Sequence, residues 1–213
     1  MEIIRFADLK AEPWRNGGGV TRQIASRPTP ASPVQDGAGD GGWDWRVSIA
    51  ELTKAGDFSP FPGMERVLTV IEGELLLLSV DGAEHLMEKY RPFRFAGGAA
   101  TLSKLPMGDV RNLNVITRTD SFKGFTSIIE LSKKRAHPVF EGQLAVLLQG
   151  SATVSPGAAD EADGGAEGPA EAAPAPEPEA LNRYDAVVGS DIRSPEILGR
   201  GFLAVVSIDR VAG

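Results

Sequence analysis

Apolar residues along this chain recur at every second position in short runs, and clusters of glycine and proline separate the runs. Residues 43–51 are the clearest case. Trp45, Val47 and Ile49 fall on one face of an extended strand and Arg46, Ser48 and Ala50 on the other, because successive strand side chains point to opposite sides. Residues 2–6 and 20–25 alternate in the same way, residues 27–42 have the Pro, Gly, Ser and Asp content of an irregular loop, and residues 57–63 read as a turn-rich connection. Arg66 stands directly before the apolar run 67–71. Helical periodicity is sparse. With 25 glycines and 15 prolines punctuating the runs, the pattern predicts an all-β chain.

The strand pattern also repeats. Leu68-Thr69-Val70-Ile71-Glu72-Gly73-Glu74-Leu75 aligns with Ala145-Val146-Leu147-Leu148-Gln149-Gly150-Ser151-Ala152, residues 86–97 with 181–189, and residues 113–117 with 203–207. Each copy is expected to be a glycine-turned strand pair, a loop, another strand and a final strand. Two related β units in tandem follow, with the first ending near residue 130. In this alignment the short loop 79–84 of the first copy corresponds to the whole segment 155–180 of the second. That segment is dominated by Ala, Pro, Gly and Glu and is expected to be a disordered acidic insertion at a hairpin tip.

Charge changes the picture only once it is located. The 213 residues carry a formal charge of −7, but residues 151–180 hold seven acids and no Lys or Arg, so the rest of the chain is balanced at 22 of each sign. No basic stripe is present for nucleic acid, and no apolar run is long enough for a bilayer, so neither a nucleic-acid nor a membrane partner is expected. The absence of cysteine removes disulfides, thiolate metal sites and a Cys nucleophile together. It suits a reducing cytoplasm, as does an N-terminal stretch without the charged and apolar regions of a signal peptide, and a cytoplasmic protein is expected.

Candidate chemistry centres on Pro13-Trp14-Arg15-Asn16-Gly17-Gly18-Gly19-Val20-Thr21. Three successive glycines allow positive φ and close backbone approach, which serves a tight turn or a ligand held against amide N–H groups equally well. The segment lacks the Gly-Lys-Ser/Thr step of a phosphate loop and the spaced glycines of a dinucleotide site. The two histidines, His85 and His137, are far apart and carry no metal-ligand spacing, so no metal ligand is assigned. Arginines are more promising. Arg46 shares a strand face with Ser48, and Asn114 shares one with Ile116 and Arg118. If those faces turn toward a barrel lumen, they offer guanidinium forks and amides suited to a carboxylate; otherwise they face water.

These residues carry a resemblance. The chain resembles the HutD/Ves family, whose opening signature is matched by residues 13–21. Its second is matched by Trp45-Arg46-Val47-Ser48, Phe58-Ser59-Pro60-Phe61-Pro62-Gly63 and Arg66, and its third by Pro92-Phe93-Arg94-Phe95 with Asn114 and Arg118. The motifs cover the first 120 residues. The resemblance implies an RmlC-like jelly-roll bicupin, with a first barrel at 1–130 and a second at 131–213. It also implies binding of a carboxylate intermediate of histidine utilisation, such as N-formylglutamate, with restraint of that pathway; the alternative is a metal-independent isomerase or epimerase relying on His85 and Tyr90. Gln23, Asn112 and Gly98 stand where family members usually carry acids, which weakens acid–base roles and leaves the arginines intact. The expected ligand-binding set is Trp14, Asn16, Gly17, Gly18, Gly19, Thr21, Arg46, Ser48, Arg66, Asn114 and Arg118, with Trp14 and Asn16 closing the mouth on a glycine hinge. No catalytic residue and no cofactor are expected, the partner is a small carboxylate metabolite, and a homodimer is left open.

Overall fold

The computed structural model describes residues 1–14, 16–29, 42–157 and 177–211, which form strands, turns and one short 3-10 segment, Phe6–Asp8. Strands are numbered β1 to β17 in chain order. A six-stranded sheet runs β2 (Ala11–Pro13), β3 (Gly19–Pro28), β4 (Trp43–Leu52), β11 (Val110–Arg118), β6 (Met64–Glu72), β9 (Phe93–Ala96). A four-stranded sheet runs β5 (Gly56–Asp57), β10 (Thr101–Lys104), β7 (Leu75–Val80), β8 (Ala83–Glu88). The third sheet runs β1 (Glu2–Ile4), β16 (Ala186–Val188), β14 (Gln143–Ser155), β17 (Glu196–Arg210), β12 (Phe122–Leu131), with β13 (His137–Pro138) on β17 and β15 (Glu179–Leu181) on β14. The all-β expectation is met, and among the described residues no helix is long and apolar enough to cross a membrane.

Contacts divide the chain into two compact units, a larger one of Phe6–Ile128 with Val206–Gly213 and a smaller one of Met1–Arg5 with Ile129–Val205. The first strand therefore belongs with the later half of the chain. Its register is Glu2↔Val188, Ile3↔Val187 and Ile4↔Ala186, and Arg5 fastens it by donating to Asp185 at 2.8 Å and to the Ala180 carbonyl at 2.7 Å.

The larger unit is built around apolar side chains from both of its sheets: Ala50, Leu52, Leu68, Val70 and Val110 from the six-stranded one, and Leu76, Leu78 and Met87 from the four-stranded one, with Phe58 and Phe95. Burying a Leu or Val side chain stabilises by roughly 1.5–3 kcal/mol, so this cluster fixes which face of each strand turns inward. Directly opposite residues share a face, and the register therefore orders the inner wall into rows: Arg46, Ile116, Arg66; then Ser48, Asn114, Leu68; then Ala50, Asn112, Val70. The last row belongs to the apolar core, and the arginines lie on the same face two rows away.

The smaller unit has a core of Leu131, Val139, Ala145, Leu147, Val154, Leu181, Val187, Ile197 and Leu203. Its pairings repeat those of the larger unit, with β14–β17 answering β6–β11, β14–β16 answering β6–β9, and β14–β15 answering β7–β8. One detail departs from the repeat expected of the sequence. Gly73 (φ +89°) turns the chain between β6 and β7, but Gly150 (φ +99°) lies inside a single thirteen-residue strand. A Cβ on Gly150 would stand 1.9 Å from the Arg200 carbonyl, so here glycine admits a neighbouring backbone instead of a turn. The acidic segment expected to be disordered lies mostly outside the described residues. It leaves β14 at Ser155 and returns to β15 at Glu179, where the two strands pair as Ala152↔Leu181, Thr153↔Ala180 and Val154↔Glu179.

Candidate functional site

Several arginines of the larger unit are matched by acids: Arg22 pairs with Glu51, Arg111 reaches Glu51 at 3.2 Å and Glu72 at 3.0 Å, Arg94 pairs with Glu65, and Arg118 lies 3.5 Å from Asp44. Arg46 and Arg66 form no salt bridge among the described residues, and the Nε of each is buried without a hydrogen-bond partner. They flank Ile116 on the inner wall of the larger unit, placed there because alternation along β4 and β6 puts them on the face of Leu52 and Leu68.

Arg66 is 3% exposed. It lies over Phe58 (5.0 Å to the ring centroid), Phe61 (5.4 Å) and Phe95 (5.5 Å), and donates one hydrogen bond of 3.2 Å to the Ser59 carbonyl. Arg46 lies over Trp43 (4.7 Å) and shares the Phe61 ring at 5.4 Å. Each such contact contributes about 0.5–2 kcal/mol, less than the cost of withdrawing a guanidinium from water without a counter-charge. Burial, helped by repulsion from Arg46, pushes the Arg66 guanidinium down to about 9, and burial also lowers that of Arg46 against a partly restoring field from Glu12. At neutral pH Arg66 remains protonated. A buried and a partly buried guanidinium without a salt-bridging carboxylate among the described residues form a site of positive potential, and an anion would relieve it.

Neutral hydrogen-bonding groups continue from the arginines along the same face. Ser48 (1% exposed) and Asn114 (5%) are directly paired in register, and the Asn114 Oδ1 is buried without a partner. Arg118 is turned to other use. Asp44, which also accepts from the Thr29 hydroxyl at 3.0 Å and lies 3.7 Å from Arg27, balances its charge.

The glycine segment forms the β2–β3 connection and uses its own polar groups. Gly17 N–H donates to the Trp14 carbonyl (3.0 Å) and Gly18 N–H to the Asn16 Oδ1 (2.9 Å), while the Gly18 carbonyl accepts from Thr53 and Lys54. Those two amides are therefore occupied within the turn. Trp14 donates through Nε1 to the Thr21 hydroxyl at 2.7 Å and meets Phe58 edge-on at 5.7 Å, so it buttresses one of the rings under Arg66. The structure thus joins Arg46, Arg66, Ser48 and Asn114 on one inner face and links Trp14 and Thr21 to it through Phe58. It uses Asn16, Gly17, Gly18 and Gly19 in the turn and pairs Arg118 with Asp44.

Sequence reasoning did not assign a role to the rings of Trp43, Phe58, Phe61 and Phe95, nor to Asn112 and Asp44. The signal for the rings was in the Phe58-Ser59-Pro60-Phe61 and Phe93-Arg94-Phe95 stretches, whose aromatics are too numerous for simple turn positions. His85 packs against Phe93 with ring centroids 4.5 Å apart, and the Tyr90 N–H donates to the Val70 carbonyl. A surface depression of about 410 Å³, lined by Asp57, Phe58, Pro60, Thr101 and neighbouring residues, presents no cation and suits a carboxylate poorly. Among the described residues no group of three or more His, Cys, Asp or Glu is placed to hold a metal ion.

Comparison with known proteins gives these features a context. Protein Ves of Citrobacter koseri is 38% identical over 125 residues, which cover 58% of this chain and 61% of that protein, so the match spans under two thirds of the relative's length. The structure of HutD from Pseudomonas fluorescens superposes with a TM-score of 0.71 at 23% identity over 99% of both chains. A cupin 2 conserved barrel domain protein from Leptotrichia buccalis superposes at 0.57 and 8% identity, over 99% of this chain and 96% of that one. These two likenesses speak for the fold alone, an all-β cupin-like architecture. The sequence model of the HutD family matches residues 6–200, nearly the whole chain, and with that match the chain belongs to the HutD family.

Proposed function

We propose that the larger unit binds a small carboxylate metabolite at Arg46 and Arg66, and that the protein acts as a binding component that modulates histidine catabolism, with N-formylglutamate as the first candidate ligand. The observation that carries this reading is the pair of arginines on one inner face, Arg66 almost wholly buried and Arg46 partly so, set over aromatic rings and without a salt bridge among the described residues, while Arg22 and Arg111 are paired with acids. Guanidinium forks bind carboxylates with two parallel hydrogen bonds, and a low-dielectric surround strengthens the pairing. Ser48 and Asn114 supply neutral donors and acceptors to the remainder of the ligand. Membership of the HutD family supports the choice of pathway, and the Ves relative, matched over only part of its length, leaves the choice of ligand to experiment.

Isothermal titration of the folded protein with N-formylglutamate, urocanate and glutamate tests this. Saturable heat is expected with N-formylglutamate, together with a rise in melting temperature, because a ligand that binds only the folded state stabilises it by mass action. Absence of heat with all three, in protein shown to be folded, rejects the reading.

A further inference from the structure

We propose that Asn112 is the specificity-determining residue at the deep end of this site, and that the ligand is a short-chain carboxylate ending in a neutral amide. The inference rests on the carboxylate reading of Arg46 and Arg66 and extends it to the other end of the ligand.

Asn112 is fully buried, and neither its Oδ1 nor its Nδ2 has a hydrogen-bond partner. It lies opposite Ala50 and Val70, both members of the apolar core, so its side chain faces the same interior as theirs. A wholly buried amide with both groups unmatched is rare in folded proteins, where nearly all such groups are satisfied, and it disfavours the folded state until something fills its hydrogen bonds. One row away, beside Ser48, Asn114 also has an unmatched Oδ1 and lies on the same face toward the arginines. The three rows thus form a gradient along β11, with cations at Ile116, one amide at Asn114 and a second at Asn112.

Spacing sets the length of the ligand. Asn112 is four residues from Ile116 along the strand, about 13 Å at roughly 3.3 Å per residue. A hydrogen bond of about 3 Å at each end leaves about 7 Å between the carboxylate carbon and the far polar group. Asn112 presents a donor group, its NH2, and an acceptor, its carbonyl oxygen, and a primary or secondary amide answers with an acceptor and a donor of its own. A second carboxylate would leave Nδ2 satisfied and set Oδ1 against negative charge, so the far end is neutral.

An isosteric series provides the test. Adipamate carries a carboxylate and a terminal amide at this separation, 6-oxoheptanoate replaces the amide NH2 by methyl, and 6-methylheptanoate removes the oxygen as well. With the wild-type protein, affinity measured by titration calorimetry is expected to fall at each step, by about tenfold or more from adipamate to 6-methylheptanoate, since a site built to hydrogen-bond rejects an analogue that cannot. Asn112→Leu is expected to level the series while still binding all three. Asn112→Ala serves the same purpose if the leucine variant does not fold. Equal wild-type affinity for the three compounds, or an undiminished preference in both variants, overturns the role of Asn112 and makes its partner an ordered water. Failure of all three compounds to bind overturns this inference through the carboxylate reading itself.

Discussion

Replacing Arg66 with methionine is expected to weaken carboxylate binding by about a hundredfold and to leave the melting temperature unchanged or a few degrees higher. The two parts follow from one fact, a buried cation without a matching acid. Truncating one member of a buried charge pair typically costs 2–5 kcal/mol of binding, and a hundredfold change is about 2.7 kcal/mol. Without ligand the sign reverses, because a buried guanidinium is held at a desolvation cost that the rings of Phe58, Phe61 and Phe95 offset only in part. Methionine has a similar reach and keeps a favourable sulfur–aromatic contact, so the cavity it leaves is small. Arg66→Lys should fall between the two, since it retains charge and loses the planar fork. Titration calorimetry and thermal unfolding on the same preparations check this. Wild-type affinity in the methionine variant, or loss of affinity only alongside loss of folded protein, would remove Arg66 from the site. Arg46→Met should cost less affinity, because Arg46 is less buried and already feels Glu12.

Much of this arrangement was legible in the chain. Alternation along residues 43–51 put Arg46 and Ser48 on one face, and the structure keeps them there. What alternation could not show is that the opposite face, with Val47 and Ile49, is equally buried, since a two-residue period separates the faces without saying which of them meets solvent. The strand repeat recovered the equivalent pairings of the two units. It misread Gly150, because a positive φ at glycine serves a turn and a bent continuous strand alike, and only the backbone across from it decides. Arg118 shows the limit for the site. It shares a face with Asn114 in sequence, but Asp44 sits beside it in space, and a cation's partner depends on register between strands far apart in the chain. Asn112 was visible only as a missing acid; its significance comes from burial without partners, which no one-dimensional pattern contains.

The three glycines after Asn16 should respond to alanine in a graded way, and the grading separates a structural turn from a moving hinge. Gly19 is the severe position: a Cβ there would stand 2.3 Å from the Glu51 carbonyl oxygen, a backbone atom of the central strand β4 that cannot step aside. Gly19→Ala is expected to destabilise by about 2–4 kcal/mol, seen as a drop of roughly 5–15 °C in melting temperature for a chain of this size. Gly17 has open space around it but a φ of +66°, so alanine costs about 1–2 kcal/mol of backbone strain and no clash. Gly18 has neither problem, only a 3.2 Å approach to the Asn16 Oδ1 that accepts from its own N–H, so its substitution should cost no more than the about 1 kcal/mol of that one hydrogen bond. A hinge predicts a different series. If the segment opened and closed over the ligand, Gly18→Ala would stiffen it and slow ligand exchange as much as the other two, with little change in stability. The occupied amides of Gly17 and Gly18 and the tie from the Gly18 carbonyl to Thr53 and Lys54 favour the first outcome: the bare backbone lets the β2–β3 connection press against β4, and Trp14 is thereby held against the ring of Phe58 beneath Arg66.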